Sequence, residues 1–322
     1  MDEASVSVVI VTPEAGELLD DCLASLARQS AKPREVVVVL NGCSGRDKLS
    51  KDWSDKLKID IISSDRNVGF AKAHLLAMSH VSSKWIAPLN ADAVAESDWL
   101  EEMLEVGESS PDIAGVASAV LQAGEPSRLE SLGIEVGAGG AAYLRRWGER
   151  YREEGPQEVF GPAGAAAMYR RETIERVGFF DEGMFAYYED VDLAWRFRWA
   201  GRRAMAAPRA RVHHKGSAFE NYSFKTYHLH RNRLAVIAMN WPVRIILRNF
   251  FEILLTDIPS ILLSVVKERS MRSILARGSF IVSLPRLLSM RHKRLKGRVP
   301  GAERWIFDDR SRALERLGWK LS

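Results

Sequence analysis

The 322-residue sequence has little cysteine, only Cys22 and Cys43. Two thiols cannot build a disulfide scaffold or a four-cysteine zinc site, and such sparse usage fits a reducing compartment. The chain also lacks an apolar run of the ~20 residues that a spanning helix needs. Its best apolar stretch, residues 253–266, is interrupted by Asp257 and Pro259. Glycine (23) and proline (12) are ordinary in number, which excludes collagen-like and low-complexity classes. The opening Met1-Asp2-Glu3 is acidic and runs into a strand-like segment. With no basic n-region before an apolar core, no signal peptide is expected.

What is present is enough to fold. Hydrophobic residues make up 46% and charged residues 27%, so the chain can bury a core. Its length fits one large α/β domain with an appendage. The net charge of +4 conceals a division. Residues 207–322 hold 23 Lys+Arg against 8 Asp+Glu, a balance of +15, which leaves 23 against 34, or −11, for residues 1–206. An acidic front and a basic tail suggest two jobs.

Short β-branched runs mark buried strands: Val6-Ser7-Val8-Val9-Ile10-Val11, Glu35-Val36-Val37-Val38-Val39-Leu40, Ile59-Asp60-Ile61-Ile62 and Trp85-Ile86-Ala87-Pro88-Leu89. Between them, Leu18, Leu19, Cys22, Leu23 and Leu26 share a helical face. Residues 70–80 and 97–107 also read as helices, the latter with Ser97 as its N-cap. Alternating helices and all-apolar strands predict a parallel sheet covered on both faces. Residues 120–160, with the cluster Gly137-Ala138-Gly139-Gly140, read as loops and edge strands. Residues 189–200 predict a further helix, and Val212-His213-His214 a short strand.

Ligands of such sheets bind outside the carboxyl ends of the strands. The four strands are followed by Thr12-Pro13-Glu14, by Asn41-Gly42, by Asp65-Arg66-Asn67-Val68-Gly69 and by Asn90-Ala91-Asp92. Each alone is ordinary turn chemistry, but four in register point to a ligand rim. Asp92 suits Mg²⁺ or Mn²⁺, which prefer oxygen ligands shared with substrate phosphates. Downstream, Phe185-Ala186-Tyr187-Tyr188 leads into Glu189-Asp190-Val191-Asp192. A carboxylate on a rigid helix start beside aromatic side chains makes a good general base. On a strand, His213 and His214 point to opposite faces, so one of them can complete a ligand set begun by Asp92.

These ordered motifs resemble the inverting glycosyltransferases of family 2, which have the GT-A fold. The resemblance covers about residues 5–240 and is most specific over residues 178–196, Gly178-Phe179-Phe180-Asp181-Glu182 to Arg196. It implies a Rossmann-like, mostly parallel α/β sheet with helices on both faces. It implies that Asp92 is the metal-binding aspartate of a DxD-like triplet and Asp190 the catalytic base. His214 would join the metal shell. Thr12, Asn41, Asp65, Asn67 and Asn90 would cradle a nucleotide-sugar donor. Arg196 matches a common motif position, and pairing with Glu189 or Asp192 on its own helix accounts for it equally well. Leu40 stands where the family usually has an aspartate that contacts the base or ribose.

The expected activity is metal-assisted transfer, with inversion, from a nucleoside-diphosphate sugar to a glycan or polyprenyl-linked acceptor. The tail, from Arg231-Asn232-Arg233 onward, resembles the bacterial rhamnosyltransferase-like branch, which builds cell-surface polysaccharides. A weakly active or inactive sugar-nucleotide-binding scaffold is the alternative. A nucleotidyltransferase fits less well, because no Lys or Arg follows the first strand. The expected division is a GT-A domain over residues 1–240 and a basic amphipathic helical region over residues 241–322. Between Lys267 and Arg298 stand ten basic residues and one acidic residue, Glu268. This suggests a cytoplasmic protein, peripheral on the inner face of a membrane. The basic residues alternate with aliphatic runs rather than displayed aromatics, which argues against a nucleic-acid partner.

Overall fold

The computed structural model describes residues 5–43, 49, 53, 55–216, 222–267 and 270–307. Met1-Asp2-Glu3, Ser217, Glu268, Arg269 and the tail from residue 308 lie outside the described residues. The chain divides into two units. The first comprises Met1–Ile134, Leu144–Phe197 and Arg202–Ala218. The second takes Glu135–Tyr143, Arg198–Gly201 and the rest of the chain from residue 219.

In the first unit the valine-rich runs become β1 (Val6–Thr12), β2 (Glu35–Asn41) and β3 (Ile59–Ser64), followed by β4 (Trp85–Pro88). Helices α1 (Glu17–Ala27), α2 (Phe70–Ala77) and α3 (Trp99–Glu108) alternate with them, and a short β5 (Ala93–Ala95) precedes α3. Helix α3 begins at Trp99 with Asp98 as its N-cap residue, so Ser97 is not the cap expected from sequence. The Ser97 carbonyl instead accepts the Ser30 N–H at 2.7 Å.

The stretch expected to be loops and edge strands is more ordered than that. It opens with a long, fully enclosed β6 (Ile113–Gln122), then β7 (Glu125–Ser131), β8 (Ile134–Gly137), β9 (Ala142–Leu144) and β10 (Gln157–Val159). After them come β11 (Ala167–Arg170), α4 (Arg171–Val177), α5 (Glu189–Trp199) and β12 (Arg203–His214). The expected short strand at 212–214 is therefore the end of a twelve-residue strand, with a register shift between Ala207 and Arg211.

The sheet runs β10-β12-β6-β11-β4-β1-β2-β3, with β5 paired to β12 and β7 to β6. Strands β3, β2, β1 and β4 are parallel neighbours, and β11 inserts antiparallel between β4 and β6. Alternation along each strand serves two faces. Val6, Val8 and Ile10 pack with Leu19, Leu23, Trp99 and Met103, while Val9, Val37 and Val39 pack with Ala71, Ala77, Leu193 and Phe197. Both faces of β1 and β2 are thus dry, as an all-apolar parallel strand requires, whereas β3, expected among the buried strands, is the sheet's edge and leaves Asp60 and Ile61 exposed.

The second unit is helical: α6 (Tyr222–Asn240), α7 (Val243–Arg248), α8 (Phe250–Leu262) and α9 (Arg272–Leu295). A short β13 (Ile306–Phe307) pairs with β8. The glycine cluster has a local reason here. A Cβ on Gly139 would collide with the Thr256 side chain and with the Glu252 carbonyl of α8. Asp257 of α8 accepts from Arg277 of α9 at 2.8 and 3.0 Å and is also paired with Arg233 of α6. Burial opposes charge on Asp257, but the two guanidinium groups hold its carboxyl below the usual range. Among the described residues, no helix is long and apolar enough to cross a membrane.

Candidate functional site

Six strands of the first unit (β1, β2, β3, β4, β6 and β12) point the same way, so their carboxyl ends form one rim. The residues singled out in the sequence lie along it. Thr12 ends β1, buried, and its hydroxyl donates to the Glu14 carbonyl at 2.7 Å. Asn41 ends β2, buried. Its Nδ2 donates to Asn67 Oδ1 at 3.1 Å and its Oδ1 accepts the Val68 N–H at 2.8 Å. Asn67 Oδ1 also accepts the Gly69 N–H at 2.9 Å. These two asparagines shape the loop from β3 to α2, while Asp65 in that loop is exposed at the rim. Leu40 is buried in the core beneath.

Gly69 ends this loop with φ +90°. A Cβ there would stand 2.7 Å from the Phe185 carbonyl oxygen, so only glycine lets the two loops meet. The Ala71 N–H completes the contact, donating to that carbonyl at 3.1 Å. Phe185, Tyr187 and Tyr188 all take positive φ (63°, 66° and 71°). Aromatic residues rarely adopt this conformation, and each such residue stores on the order of 1–3 kcal/mol. Such strain persists where the surrounding structure imposes it, commonly at functional sites.

The motif at 178–182 is the mould for this segment. Phe179 and Phe180 stack with centroids 4.1 Å apart in the second-face core. Asp181 accepts the Gly183 N–H at 2.9 Å. Arg196 pairs with Asp192 at 2.9 Å, wholly inside the protein, and donates to the carbonyls of Val177, Gly178 and Phe179. Asp192 and Arg196 therefore anchor α5 rather than face a ligand.

The strained segment delivers Glu189 and Asp190 at the start of α5. Asp190 Oδ2 accepts the Gly164 N–H at 3.0 Å and Oδ1 accepts the Val191 N–H at 2.7 Å. Glu189 is buried beside it, and its Oε2 has no hydrogen-bond partner among the described residues. Burial raises both carboxyl pKa values, and for Glu189 the neighbouring Asp190 charge adds to the rise. The two backbone N–H groups favour ionised Asp190. Of the two, Asp190 is thus the better placed to carry negative charge, and burial beside it favours the neutral form of Glu189.

Along the same rim, antiparallel pairing of β5 with β12 sets His214 opposite Ala93 and hence next to Asp92. His214 Nε2 lies 3.2 Å from Asp92 Oδ1 and 3.2 Å from Asn90 Nδ2. Its Nδ1 faces the Glu130 carboxylate of β7 at 2.8 Å. His213 points to the other face, 3.0 Å from Glu96. Burial disfavours a charged His214 ring, yet hydrogen bonds to Asp92 and Glu130 and their charges prevail and push its pKa up to about 10. Two carboxylates thus make a field that favours positive charge here.

Among the described residues no group of three or more His, Cys, Asp or Glu side chains is placed to hold a metal ion, so a divalent cation here would have two protein donors, Asp92 and His214. Asp92 offers oxygen, and His214 offers Nε2 when Nδ1–H is engaged by Glu130, an arrangement common for metal-bound imidazole. The remaining positions of such an ion are usually filled by substrate phosphate and water.

Glu130 was not legible in the sequence, where it is one acid in a charged stretch. Nor was the connection between the two halves of the site. Gly164 N–H holds Asp190, and the next residue, Ala165, accepts the Asn90 N–H through its carbonyl at 2.9 Å. One short strap thus joins the Asp190 carboxylate to the triplet that carries Asp92.

Residues 7–178, more than half of the chain, match Glycosyl transferase family 2. Asp190 and His214 lie beyond the matched residues. The chain is 24% identical over 220 residues to a glucosyl-dolichyl phosphate glucuronosyltransferase of Haloferax volcanii, covering 65% of this chain and 69% of that protein. It is 25% identical over 234 residues to an N-acetylglucosaminyl-diphospho-decaprenol L-rhamnosyltransferase of Mycobacterium tuberculosis, covering 65% and 75%. Among solved structures, GalNAc-T7 with UDP, GalNAc and Mn²⁺ superposes with a TM-score of 0.61 at 15% identity, over 80% of this chain. This chain spans about half of that one, 51%. With its sheet, its rim and this family match, the chain belongs to glycosyl transferase family 2 and has the GT-A fold.

Proposed function

We propose that the protein transfers a sugar, with inversion, from a nucleoside-diphosphate sugar to a hydroxyl of a glycan or polyprenyl-linked acceptor. The observation that carries this reading is the strap: a proton acceptor and a cation-favouring cluster are held in register on one rim. The relatives named above act in glucuronosyl and rhamnosyl transfer on lipid-linked sugars, which supports an acceptor of that class and a role in building surface polysaccharide.

In one in-line displacement the acceptor oxygen bonds to the anomeric carbon as the bond from that carbon to the diphosphate breaks. The electron pair leaves with the diphosphate, and the acceptor proton passes to Asp190. Protonated Glu189 beside it keeps the negative charge on Asp190. Asp92 and His214 would hold Mg²⁺ or Mn²⁺, which when bound stabilises the charge developing on the diphosphate. Glu130 fixes the tautomer of His214. Thr12, Asn41 and Asn67 shape the loops that receive the nucleotide, with Asp65 exposed beside it and Asn90 next to the cation.

The test is a thermal-shift screen of nucleotide sugars with and without Mn²⁺, followed by transfer assays with the donor it finds. A donor at a hundredfold excess over its Kd stabilises the fold by about 2.7 kcal/mol. Stabilisation that needs Mn²⁺ and is lost in Asp92→Ala supports the reading. Failure of every donor to stabilise or react would overturn it.

A further inference from the structure

We propose that the outward face of α8, continued by α9, is a lipid-docking face that seats the protein on an anionic membrane surface. The proposal deepens the transferase reading by naming where a lipid-linked acceptor is met.

Helix α8 is inside out. Its exposed side chains are Phe250, Phe251, Leu254, Leu255, Ile258 and Leu262, and all are apolar. Their spacing of three and four places them on one side of the helix. Phe251 is 72% exposed. The polar residues face the other way. Thr256 bonds the Glu252 carbonyl at 2.9 Å. Asp257 takes Arg233 and Arg277, and Ser260 accepts from Arg277 at 3.0 Å. A helix built for water has the reverse order. Helix α9 repeats the pattern over its first half, exposing Ile274, Leu275, Ile281 and Val282 while Ser273 and Ala276 are buried.

Charge identifies the occupant. Exposed Arg248, Arg272, Arg286, Lys293, Lys296 and Arg298 accompany the apolar residues. Among the described residues of the same stretch the acids are withdrawn, Asp257 into its pair with two arginines and Glu252 half-buried. Apolar residues with a basic border match the acyl boundary and headgroups of an anionic bilayer. A second copy of this chain would oppose like charge to like. Even with the helical turn Leu263–Lys267 that continues α8, no described helix is long and apolar enough to cross a membrane, so the face is proposed to lie in the plane of the surface.

The experiment is vesicle flotation of the full chain, without donor or metal. One set of vesicles is phosphatidylcholine and the other contains about 30 mol% phosphatidylglycerol, each over a salt series. Binding to the anionic vesicles is expected, and it should weaken with salt. Phe251→Glu and Leu255→Glu should each lower the partition by about tenfold or more, since each loses a large apolar group from the lipid boundary. Lys293→Glu with Lys296→Glu should remove only the gain given by anionic lipid. The outward residues leave the fold intact, which melting curves check, and Phe251→Ser provides an uncharged control. Failure to bind vesicles at low salt overturns the proposal. So does binding that ignores these substitutions, or a dimer in sedimentation that Phe251→Glu dissolves. Because no donor is present, a transferase reading that fails leaves this result standing, and the converse also holds.

Discussion

Helices α1 and α8 have 11 and 13 residues and sort their side chains in opposite ways. In α1, Leu19, Cys22, Leu23 and Leu26 are fully inside, against the valines of β1 and β2. In α8 the large apolar residues are outside and the carboxylate of Asp257 is inside, held by two arginines. The first unit is therefore held chiefly by dry side-chain packing. In the second unit, between Val243 and Leu295, the buried side chains among those described are few: Ile245, Asn249, Ser264, Ser273, Ala276 and Leu287. The apolar side chains buried in the second unit are concentrated instead at the end of α6, from Ala235 to Trp241.

This contrast orders the experiments, beginning with the reactive rim of the first unit. Asp190→Asn keeps the shape and can keep one of the two backbone N–H contacts, but its amide nitrogen cannot accept the other and the side chain cannot accept a proton. It should lower kcat by about 10²–10⁴-fold, with donor affinity unchanged. Phe251→Glu in α8 should leave turnover on a water-soluble acceptor at the wild-type level. Steady-state kinetics of the two variants would break the comparison if Asp190→Asn stayed active.

Cation affinity comes next. Asp92→Ala and His214→Ala should abolish Mn²⁺ binding measured by calorimetry in the presence of nucleoside diphosphate. Glu130→Ala, which leaves both ligands in place, should weaken it by about 10–100-fold. His213→Ala should have no effect. Equal losses for the two histidines would mean that the face of β12 is wrongly assigned.

Stability then separates the units directly. Leu23→Ala should cost about 2–5 kcal/mol in urea unfolding. Leu255→Ala, at an exposed position, should stay within about 0.5 kcal/mol. Asp257→Ala should cost about 3–5 kcal/mol, because it strands two arginines. A large loss from Leu255→Ala would show that the outer face of α8 is covered by protein.

The smallest effect concerns pH. The raised pKa of Glu189 means that the folded state keeps a proton which the unfolded chain releases. That stabilisation is complete below the ordinary carboxylate range and is lost as pH rises through the higher folded value. Wild-type melting temperature should therefore fall relative to Glu189→Gln as pH rises from about 5 through neutrality. A constant difference would show that Glu189 is ionised throughout.

Much of the first unit was legible because apolar parallel strands carry a strong signal. β1 and β2 are dense in β-branched residues, and the polar residues after each strand had nowhere to go but the rim. Strand alternation said that only one of His213 and His214 could meet the site, and the family resemblance pointed to His214. What escaped was of a different physical kind. Glu130 reaches His214 only because β7 folds back on β6, a long-range register invisible in a charged stretch. The positive φ values at Phe185, Tyr187 and Tyr188 are imposed by packing against propensity. The run that became α8 was visible only as an apolar stretch broken by Asp257 and Pro259, and nothing local says which side of such a helix looks inward.

The strap through Gly164 and Ala165 also bears on how this enzyme can change. The Gly164 N–H and the Ala165 carbonyl, one peptide group apart, hold Asp190 and Asn90, so displacing one displaces the other. Alignment is inherited as a single part rather than tuned piece by piece. The loop after β3 is itself tied, through Gly69 and the Phe185 carbonyl, to the segment that delivers Asp190, so a change there would be felt at the same point.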